Sequence, residues 1–179
     1  FYAPYPGASY GGNGGGTECC PETFLAPATK NVDLGETFTL DVWTESGVDC
    51  PIRTAEYILT WDPIALEMID YVYHEDSYGL SQDILVIPVL SSGEFRFAVA
   101  RLTQYGNIPA ALSHSVLTCT FRALGTATPG TYTISTDSSL ITEDGVFYNC
   151  VVTEDCDITI LPEKVLGLGE CSYLPRYWL

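Results

Sequence analysis

The sequence predicts an all-β domain, an antiparallel β-sandwich of the Ig-like or jelly-roll type with an extended segment at each end. Short segments rich in β-branched and aromatic residues follow one another, and most alternate polar with apolar residues. Turn-forming sequences such as LGET, SSGE, TPGT and EDGV separate many of them. No segment carries a helical apolar stripe, and about eight or nine strands in about 140 residues are typical of a sandwich.

The predicted strands follow in chain order. They cover residues 37–43, 55–61, 84–90, 94–100, 115–121, 131–135, 146–152 and 157–161. For a further segment, IALEMIDYVY at 64–73, the β-branched and aromatic residues favour a strand over one helical turn. Asp62 and Pro63 predict a corner before this segment, because proline fixes one backbone angle and an aspartate side chain bonds the following amides.

Composition divides the chain into three parts. Residues 1–21 form an arm rich in glycine, tyrosine and proline, residues 22–162 form the sandwich, and residues 163–179 form an apolar and aromatic tail. Apolar residues make up 46% of the chain, which is enough for one sizeable core.

The charge is strongly acidic, with 23 acidic against 7 basic residues and a net charge of -16. Such a chain repels phosphate backbones and anionic lipid, so nucleic acid and membrane insertion are not expected. The acidity serves either solubility or the binding of a hard cation. No cofactor is required, and calcium is the candidate, with Glu154, Asp155 and Asp157 as the candidate ligands.

Seven cysteines and one methionine indicate an oxidising compartment, so we expect a secreted, extracellular or cell-surface protein. The absence of an initiator methionine is consistent with a mature terminus left by a removed signal peptide. The N-x-S/T pattern is absent, which excludes conventional N-glycosylation and leaves O-linked sugars open.

The odd number of cysteines leaves at least one unpaired within a monomer. Cys119 is expected to be that residue, because its alternation with Leu117 and Phe121 places it on the inward face of a strand. A Cys150–Cys156 bridge would staple a hairpin or loop, and Cys171 is expected to tie the tail to Cys19 or Cys20. The candidates for disulfide bonds are Cys19, Cys20, Cys50, Cys150, Cys156 and Cys171.

Catalytic chemistry has little support, and we predict that the protein is not an enzyme. The two histidines, His74 and His114, lie in unrelated contexts. The acidic pairs at 75–76 and 143–144 flank apparent turns, where charged residues are ordinary. Cysteine and histidine nowhere show zinc-ligand spacing.

The order of motifs resembles that of cohesin-type and related carbohydrate-binding-module-like sandwiches over roughly residues 22–162. The similar segments are NVDLGETFTLDVW, AEYILTWDPIALEMIDY, SGEFRFAVA, SVLTCTFRALGTATPGTYTIS, DGVFYNC and CDITIL. The resemblance implies a cohesin-like fold. It also implies one of two functions, since cohesins hold a dockerin helix on one face as part of enzyme scaffolds on cell surfaces, while relatives bind glycans or serve as modules of surface proteins. No binding residue is transferred from it.

The arm suggests a structural function. Twenty extended residues reach about 65–70 Å, whereas a sandwich of about 140 residues has a radius of gyration of about 14 Å. The chain is therefore interpreted as a secreted subunit of a pilus- or sheath-like filament, in which a terminal segment inserts at the sheet edge of the next copy. The arm anchors are Phe1, Tyr2, Tyr5 and Tyr10, and the rival tail anchors are Leu174, Tyr177, Trp178 and Leu179.

The alternative is a monomeric cohesin-like or glycan-binding module of a cell-surface system. In that case exposed aromatic residues such as Trp43 or Trp178 meet a sugar or a surface protein. Trp43, however, is expected to pack in the core because it lies in an alternating strand.

Overall fold

The structure is a computed structural model that describes residues 20–46, 52–74, 84–101, 113–141 and 150–163. These residues form strands, turns and bends, and none of them is helical. The strands are β1 (Glu22–Ala26), β2 (Thr29–Val32), β3 (Thr37–Glu45), β4 (Thr54–Thr60), β5 (Leu66–Tyr73), β6 (Ile84–Ser91), β7 (Glu94–Arg101), β8 (Ser113–Ala123), β9 (Gly130–Ile141), β10 (Val152–Glu154) and β11 (Cys156–Ile160).

The strands form two sheets. One has five strands in the order β10-β1-β3-β8-β5, and the other has six in the order β2-β11-β9-β4-β7-β6. Most neighbours are antiparallel, whereas β1 pairs with β10 and β2 pairs with β11 in parallel. The predicted all-β sandwich is confirmed, with the difference that both sheets are mixed.

The parallel pairs arise because both ends of the sandwich domain cross from one sheet to the other. The chain changes sheet between β1 and β2, at a cis Ala26–Pro27 peptide bond, and again between β10 and β11. β1 and β2 were not predicted from the sequence because these strands are short and pair with distant parts of the chain. Of the predicted strand 146–152, residues 146–149 lie outside the described residues, and Val152 begins β10. The segment 64–73 is a strand from Leu66 onward, as its composition predicted.

Alternation along the strands builds the core. In β3, Phe38, Leu40 and Val42 are buried while the residues between them face outward. Their counterparts across the sandwich include Tyr57 and Leu59 of β4, which are fully buried. Each such side chain contributes about 1.5–3 kcal/mol by leaving water, so this layer holds the two sheets together.

The strands run between two ends of the sandwich, which we call the Cys20 end and the Gly93 end. At the Cys20 end lie the beginning of β1, the end of β3 and the beginning of β8, which the registers place side by side. At the Gly93 end lie the β6–β7 turn and the chain after β11. Hydrogen bonds between buried hydroxyls join the two sheets toward the Cys20 end: one links Thr44 and Tyr57, and in the other Ser138 donates to Thr23.

The corner predicted at Asp62 is confirmed. Its side-chain Oδ1 accepts the Ile64 amide hydrogen at 3.0 Å, and its carbonyl accepts from Leu66 at 3.0 Å. The Trp61 amide donates to the Gly93 carbonyl at 3.0 Å, which ties the corner to the β6–β7 turn. These bonds fix where β5 starts relative to β6 at this end of the molecule.

Candidate functional site: the outer face of the six-stranded sheet

The outer face of the six-stranded sheet carries an apolar and basic half formed by β4, β7 and β6. Pairing places Val89, Arg96 and Ile58 in one row across these strands. The neighbouring row begins with Ile87 and Ala98. We call these five residues the outer patch.

The apolar side chains of the outer patch are more exposed than is usual on the surface of a soluble protein. Ile87 and Val89 expose 51% and 53% of their area, and Ile58 and Ala98 are half-buried beside them. Small and β-branched side chains on a pleated sheet leave a shallow relief. A contiguous apolar surface of this kind is typical of a site that binds another protein.

Two carboxylates orient the guanidinium group at the centre of the outer patch. Arg96 Nε donates to Glu94 Oε1 at 2.8 Å, and Arg96 Nη1 lies 3.9 Å from Glu56 Oε1. The hydrogen bond to Arg96 lowers the pKa of Glu94, so this carboxylate stays ionised. The two carboxylates hold the exposed guanidinium against the sheet surface.

The other half of this face is polar. Thr131 and Thr159 approach through their hydroxyls at 3.2 Å, and Thr133 donates to Asp157 at 2.8 Å. Together with Asp137, these residues give β9 and β11 a hydroxyl- and carboxylate-rich surface. The face therefore changes from apolar to polar across its width.

The outer patch was not predicted from the sequence, because ILVIPVL was predicted as a strand without an assignment of its exposed face. β6 is the last strand of its sheet. Among the described residues it pairs with β7 alone. Pro88 was the available signal, because proline within a strand is confined to edge strands. Every strand of a two-layer sandwich presents one face to solvent, and the register with β7 puts Ile87 and Val89 on that face together.

The side of the sandwich between β5 and β6 is also apolar, and we call it the open side. Large apolar residues exposed among the described residues are Ile64, Ile69, Val72, Ile87, Val89, Leu90 and Val152. Ile87 and Val89 belong to the outer patch and Val72 faces outward opposite Thr118, whereas Leu90 points inward between the two sheets. A groove of 510 Å³ between the two strands opens at the Gly93 end, where Trp61, Met68 and Leu90 line it.

The terminal anchors predicted from the sequence lie outside the described residues. These are Phe1, Tyr2, Tyr5 and Tyr10 of the arm and Leu174, Tyr177, Trp178 and Leu179 of the tail. Cys19, Cys50 and Cys171 also lie outside them.

One disulfide bond differs from the expected pairing. Cys20 bonds to Cys150 across 130 residues, with a Cα–Cα distance of 5.0 Å. The predicted Cys150–Cys156 bridge was therefore wrong, because Cys156 begins an alternating strand and points into the core beside Ile158.

Cys119 is buried and carries a free thiol, as its alternation predicted. Burial, with a smaller contribution from Asp41, raises the pKa of Cys119 to about 12, which makes this thiol inert.

The structure does not bring together the carboxylates predicted to bind calcium. Glu154 lies on the five-stranded sheet opposite Phe24. Asp155 accepts the Thr136 amide hydrogen at 2.8 Å, and Asp157 lies on the six-stranded sheet. Within the described ranges, no three histidine, cysteine, aspartate or glutamate side chains form a metal-binding group.

Trp43 lies on the outer face of the five-stranded sheet, so its expected place in the core was wrong. Its side chain lies on the same face of β3 as that of Asp41, whereas Val42 points inward. Its ring stacks on that of Phe24, with centroids 6.1 Å apart and planes 9° apart. The indole is half-buried, and no hydrogen-bond partner reaches its buried Nε1.

The two histidines do not form a nucleophilic array. Thr118 Oγ1 donates to Asp41 Oδ1 at 2.5 Å and contacts His74 Nε2 at 2.8 Å. Because the hydroxyl has one proton and gives it to Asp41, the imidazole donates in the second bond and is not a base toward Thr118. His114 faces the interior opposite Thr44, and burial lowers its pKa.

Solved structures with the same fold are cohesin domains. A cohesin from Clostridium acetobutylicum, CaCohA2, matches with a TM-score of 0.65 and 16% identity, over 79% of this chain and 90% of its own. A non-cellulosomal cohesin from Archaeoglobus fulgidus matches with a TM-score of 0.60 and 14% identity, over 81% and 94% of the two chains. The OlpC cohesin of Clostridium thermocellum, solved with a dockerin, gives 0.63 and 14% over 79% and 95%. The predicted cohesin-like sandwich is confirmed.

Sequence comparison adds no relative. No protein-family model matches the chain, and no curated protein matches it. None of the described residues forms a helix long and apolar enough to cross a membrane.

Proposed function

We propose that this chain is a non-catalytic protein-binding module of an extracellular or cell-surface assembly, with the outer patch as its contact surface. The observation that carries the proposal is the cluster of Ile58, Ile87, Val89 and Ala98 around an oriented Arg96. Such a combination of exposed apolar residues and a fixed arginine is typical of interface centres.

The fold supports a protein as the partner. The cohesins that share this fold include domains solved with a bound dockerin, among them the OlpC and OlpA cohesins of Clostridium thermocellum. At 12–16% identity the likeness extends to architecture only, so the partner is inferred from the surface of this chain. The net charge of -16 favours a partner of positive net charge, which long-range attraction would bring in quickly, whereas Arg96 favours a hydrogen-bond acceptor at the centre of the partner's contact surface.

The disulfide bond supports an extracellular location. A bridge such as Cys20–Cys150 forms and persists in oxidising compartments and is rare in the cytosol. The bridge joins positions two residues before β1 and two residues before β10, which secures the edge of the five-stranded sheet.

A binding experiment tests the contact surface. The whole chain is immobilised and titrated with a panel of dockerin domains, and binders are measured again with the double variant Ile87→Glu, Val89→Glu. We expect binding to weaken about a hundredfold, because two central apolar contacts become buried charges. Val152→Glu is the matched control, since Val152 is 47% exposed on the other sheet, and it should bind as the unchanged chain does.

The same experiment separates the partner classes. Equal loss in both variants, or unchanged binding by the double variant, would contradict the outer patch. Binding of glycans without binding of proteins would move the site to the Phe24–Trp43 stack on the opposite face, where aromatic rings adjoin polar groups.

Self-assembly into an extracellular filament is the second proposal. The observation that favours it is the open side, where β5 and β6 end their sheets and expose apolar residues to which a segment of another copy would add. Electron microscopy of the whole chain and of a chain lacking residues 1–18 tests it. Filaments of the whole chain and monomers of the shortened one are expected, and filaments with the same repeat in both would refute the role of the arm.

A further inference from the structure

The outer face of the five-stranded sheet carries a stacked aromatic pair. Phe24 of β1 and Trp43 of β3 lie opposite each other, and their rings stack with centroids 6.1 Å apart and planes 9° apart. On its other side Trp43 pairs with Ser115 of β8, whose side chain is too short to cover an indole. Among the described residues, a ring therefore covers one face of this indole and none covers the other.

Carboxylates surround the aromatic pair. Asp41 and Glu45 lie two residues before and two residues after Trp43, on the same face of β3. Glu22 of β1 and Glu154 of β10 face the same side through their pairing. Burial, followed by the charges of Glu154 and Glu45, raises the pKa of Glu22, so these three carboxylates lie close enough to repel one another.

Two hydroxyls of β8 orient the carboxylates beside the indole. Thr118 Oγ1 donates to Asp41 Oδ1 at 2.5 Å, and Ser113 Oγ donates to Glu45 Oε1 at 2.6 Å. An ionised carboxylate has about four acceptor positions, so each of the two keeps the capacity for a further donor. The fold therefore fixes two acceptors beside the uncovered indole face before any ligand binds.

This part of the face is negatively charged without a cation to offset it. The salt bridges of the described residues involve other carboxylates. Arg122 shares the face, but it pairs with Glu67 and lies opposite Thr37, roughly 20 Å along β3 from Trp43. In the described part of the chain, no three histidine, cysteine, aspartate or glutamate side chains converge as metal ligands. Negative charge that is spread around aromatic rings suits an organic cation rather than a metal ion.

We propose that this face is a second contact surface, where an arginine side chain of a partner protein stacks on the uncovered face of Trp43 and donates to Asp41 and Glu45. We call it the arginine site. A guanidinium group is planar, and its N–H groups point outward in its plane. It therefore lies flat on the indole, where cation–π attraction acts, while its N–H groups reach the carboxylates beside the ring. A lysine ammonium is a point charge that does not cover the ring in this way.

Charge decides between this occupant and a neutral sugar. A sugar ring also stacks on an indole and bonds to carboxylates, but it leaves the repulsion among the acidic groups in place. A bound guanidinium offsets that repulsion, and the net charge of -16 attracts a cationic partner from a distance. The arginine site and the outer patch lie on different sheets, so both can be occupied at once and neither depends on the other.

A titration of the whole nitrogen-15-labelled chain, followed by nuclear magnetic resonance, tests the arginine site. The probes are three capped serine- and glycine-based peptides whose central residue is arginine, lysine or citrulline, the last being uncharged with nearly the shape of arginine. We expect the arginine peptide to shift the Trp43 indole resonance and the amide resonances of Phe24 and Ser115. The lysine peptide should bind about threefold more weakly and the citrulline peptide about tenfold more weakly, because they lose part or all of the cation–π attraction.

Substitutions test the location of the contact. Trp43→Leu should weaken binding of the arginine peptide about tenfold, and Glu45→Gln, which keeps the acceptor for Ser113, about threefold. Glu163→Gln removes the same charge from an exposed residue beyond β11, at the Gly93 end, and should bind as the unchanged chain does. The comparison of the three peptides uses the unchanged chain, so it decides the proposal even where Trp43→Leu fails to fold.

Several results would overturn the arginine site. Equal binding of the arginine and citrulline peptides would exclude a cation as the ligand, and equal weakening by Glu45→Gln and Glu163→Gln would reduce the effect to long-range attraction. A neutral glucan oligosaccharide that shifts the Trp43 resonance, where the arginine peptide does not, would make this a sugar site. The double variant Ile87→Glu, Val89→Glu should bind the arginine peptide unchanged, which separates this test from that of the outer patch.

Discussion

At the scale of single residues, the hydroxyl pair of Thr44 and Tyr57 shows how this core tolerates polar groups. The two oxygens lie 2.7 Å apart, both side chains are buried, and each belongs to a different sheet. Neither group reaches water, so each satisfies the other. The bond therefore fixes how the sheets lie against each other near the Cys20 end.

We expect Tyr57→Phe to lower the free energy of unfolding by about 1–3 kcal/mol, because it leaves the Thr44 hydroxyl buried and unsatisfied. The double variant Thr44→Val, Tyr57→Phe should recover most of this loss, since it removes both polar groups at nearly constant shape. Urea denaturation of the two single variants, the double variant and the unchanged chain completes the cycle. Additive losses would show that the two hydroxyls do not interact.

A second effect at this scale is the raised pKa of the Glu22 carboxylate. Burial raises its pKa, and the charges of Glu154 and then Glu45 raise it further. The folded state therefore binds this proton more tightly than the unfolded chain does. Stability then falls as the pH rises from the ordinary glutamate pKa of 4.5 through the raised value, and the full loss is present at neutral pH.

Glu22→Gln should accordingly be more stable than the unchanged chain at neutral pH, by about 0.5 kcal/mol because solvent screens a partly exposed group. The difference should disappear below pH 4.5, where glutamate is protonated in both states. Urea midpoints measured across this range test the sign. A variant that is less stable at neutral pH would show that Glu22 is a favourable charge in the fold.

At the scale of elements, the β6–β7 turn depends on one glycine. Gly93 has φ of +81°, and a Cβ atom there would lie 3.0 Å from the Trp61 carbonyl oxygen and 3.2 Å from Pro63 Cδ. Gly35 has φ of +79° with open space around it. Gly125 has neither constraint. Substitutions at these three glycines therefore separate the cost of backbone strain from the cost of a steric contact.

We expect Gly93→Ala to cost about 2–4 kcal/mol, Gly35→Ala about 1–2 kcal/mol, and Gly125→Ala less than about 0.5 kcal/mol. The difference between the first two reflects the contact with the corner at Trp61 and Pro63, which is backbone and ring and cannot rotate away. Thermal unfolding of the three variants measures the order. An equal cost at positions 93 and 35 would show that the corner yields without cost.

Elements also show where sequence reasoning succeeds. The parity of β3 and β8 follows from their alternation, and Cys119 lies inward as that parity requires. The same parity would have placed Trp43 outward, because Val42 beside it is the inward residue. The outer patch was harder to predict, since ILVIPVL is apolar on both faces and its sequence does not show which face lies against the other sheet. Alternation records which residues share a face, whereas the neighbour of a strand depends on the whole topology.

At the scale of the whole molecule, the net charge of -16 opposes the compact state. Among the described residues, cross-strand ion pairs such as Arg122–Glu67 are exposed and contribute little. Most of the carboxylates therefore repel one another without compensation. Screening of this repulsion should stabilise the fold.

Raising NaCl from about 20 mM to about 500 mM shortens the Debye length from about 20 Å to about 4 Å, and we expect Tm to rise by about 4 °C. CaCl2 at matched ionic strength should give the same rise if Ca²⁺ acts only by screening. A further rise that Asp157→Asn abolishes would show a calcium site that includes this residue, contrary to the separation of Glu154 from Asp157 on the two sheets. A further rise that survives this substitution would assign calcium to other carboxylates, and a fall in Tm with NaCl would contradict charge repulsion as the dominant long-range effect.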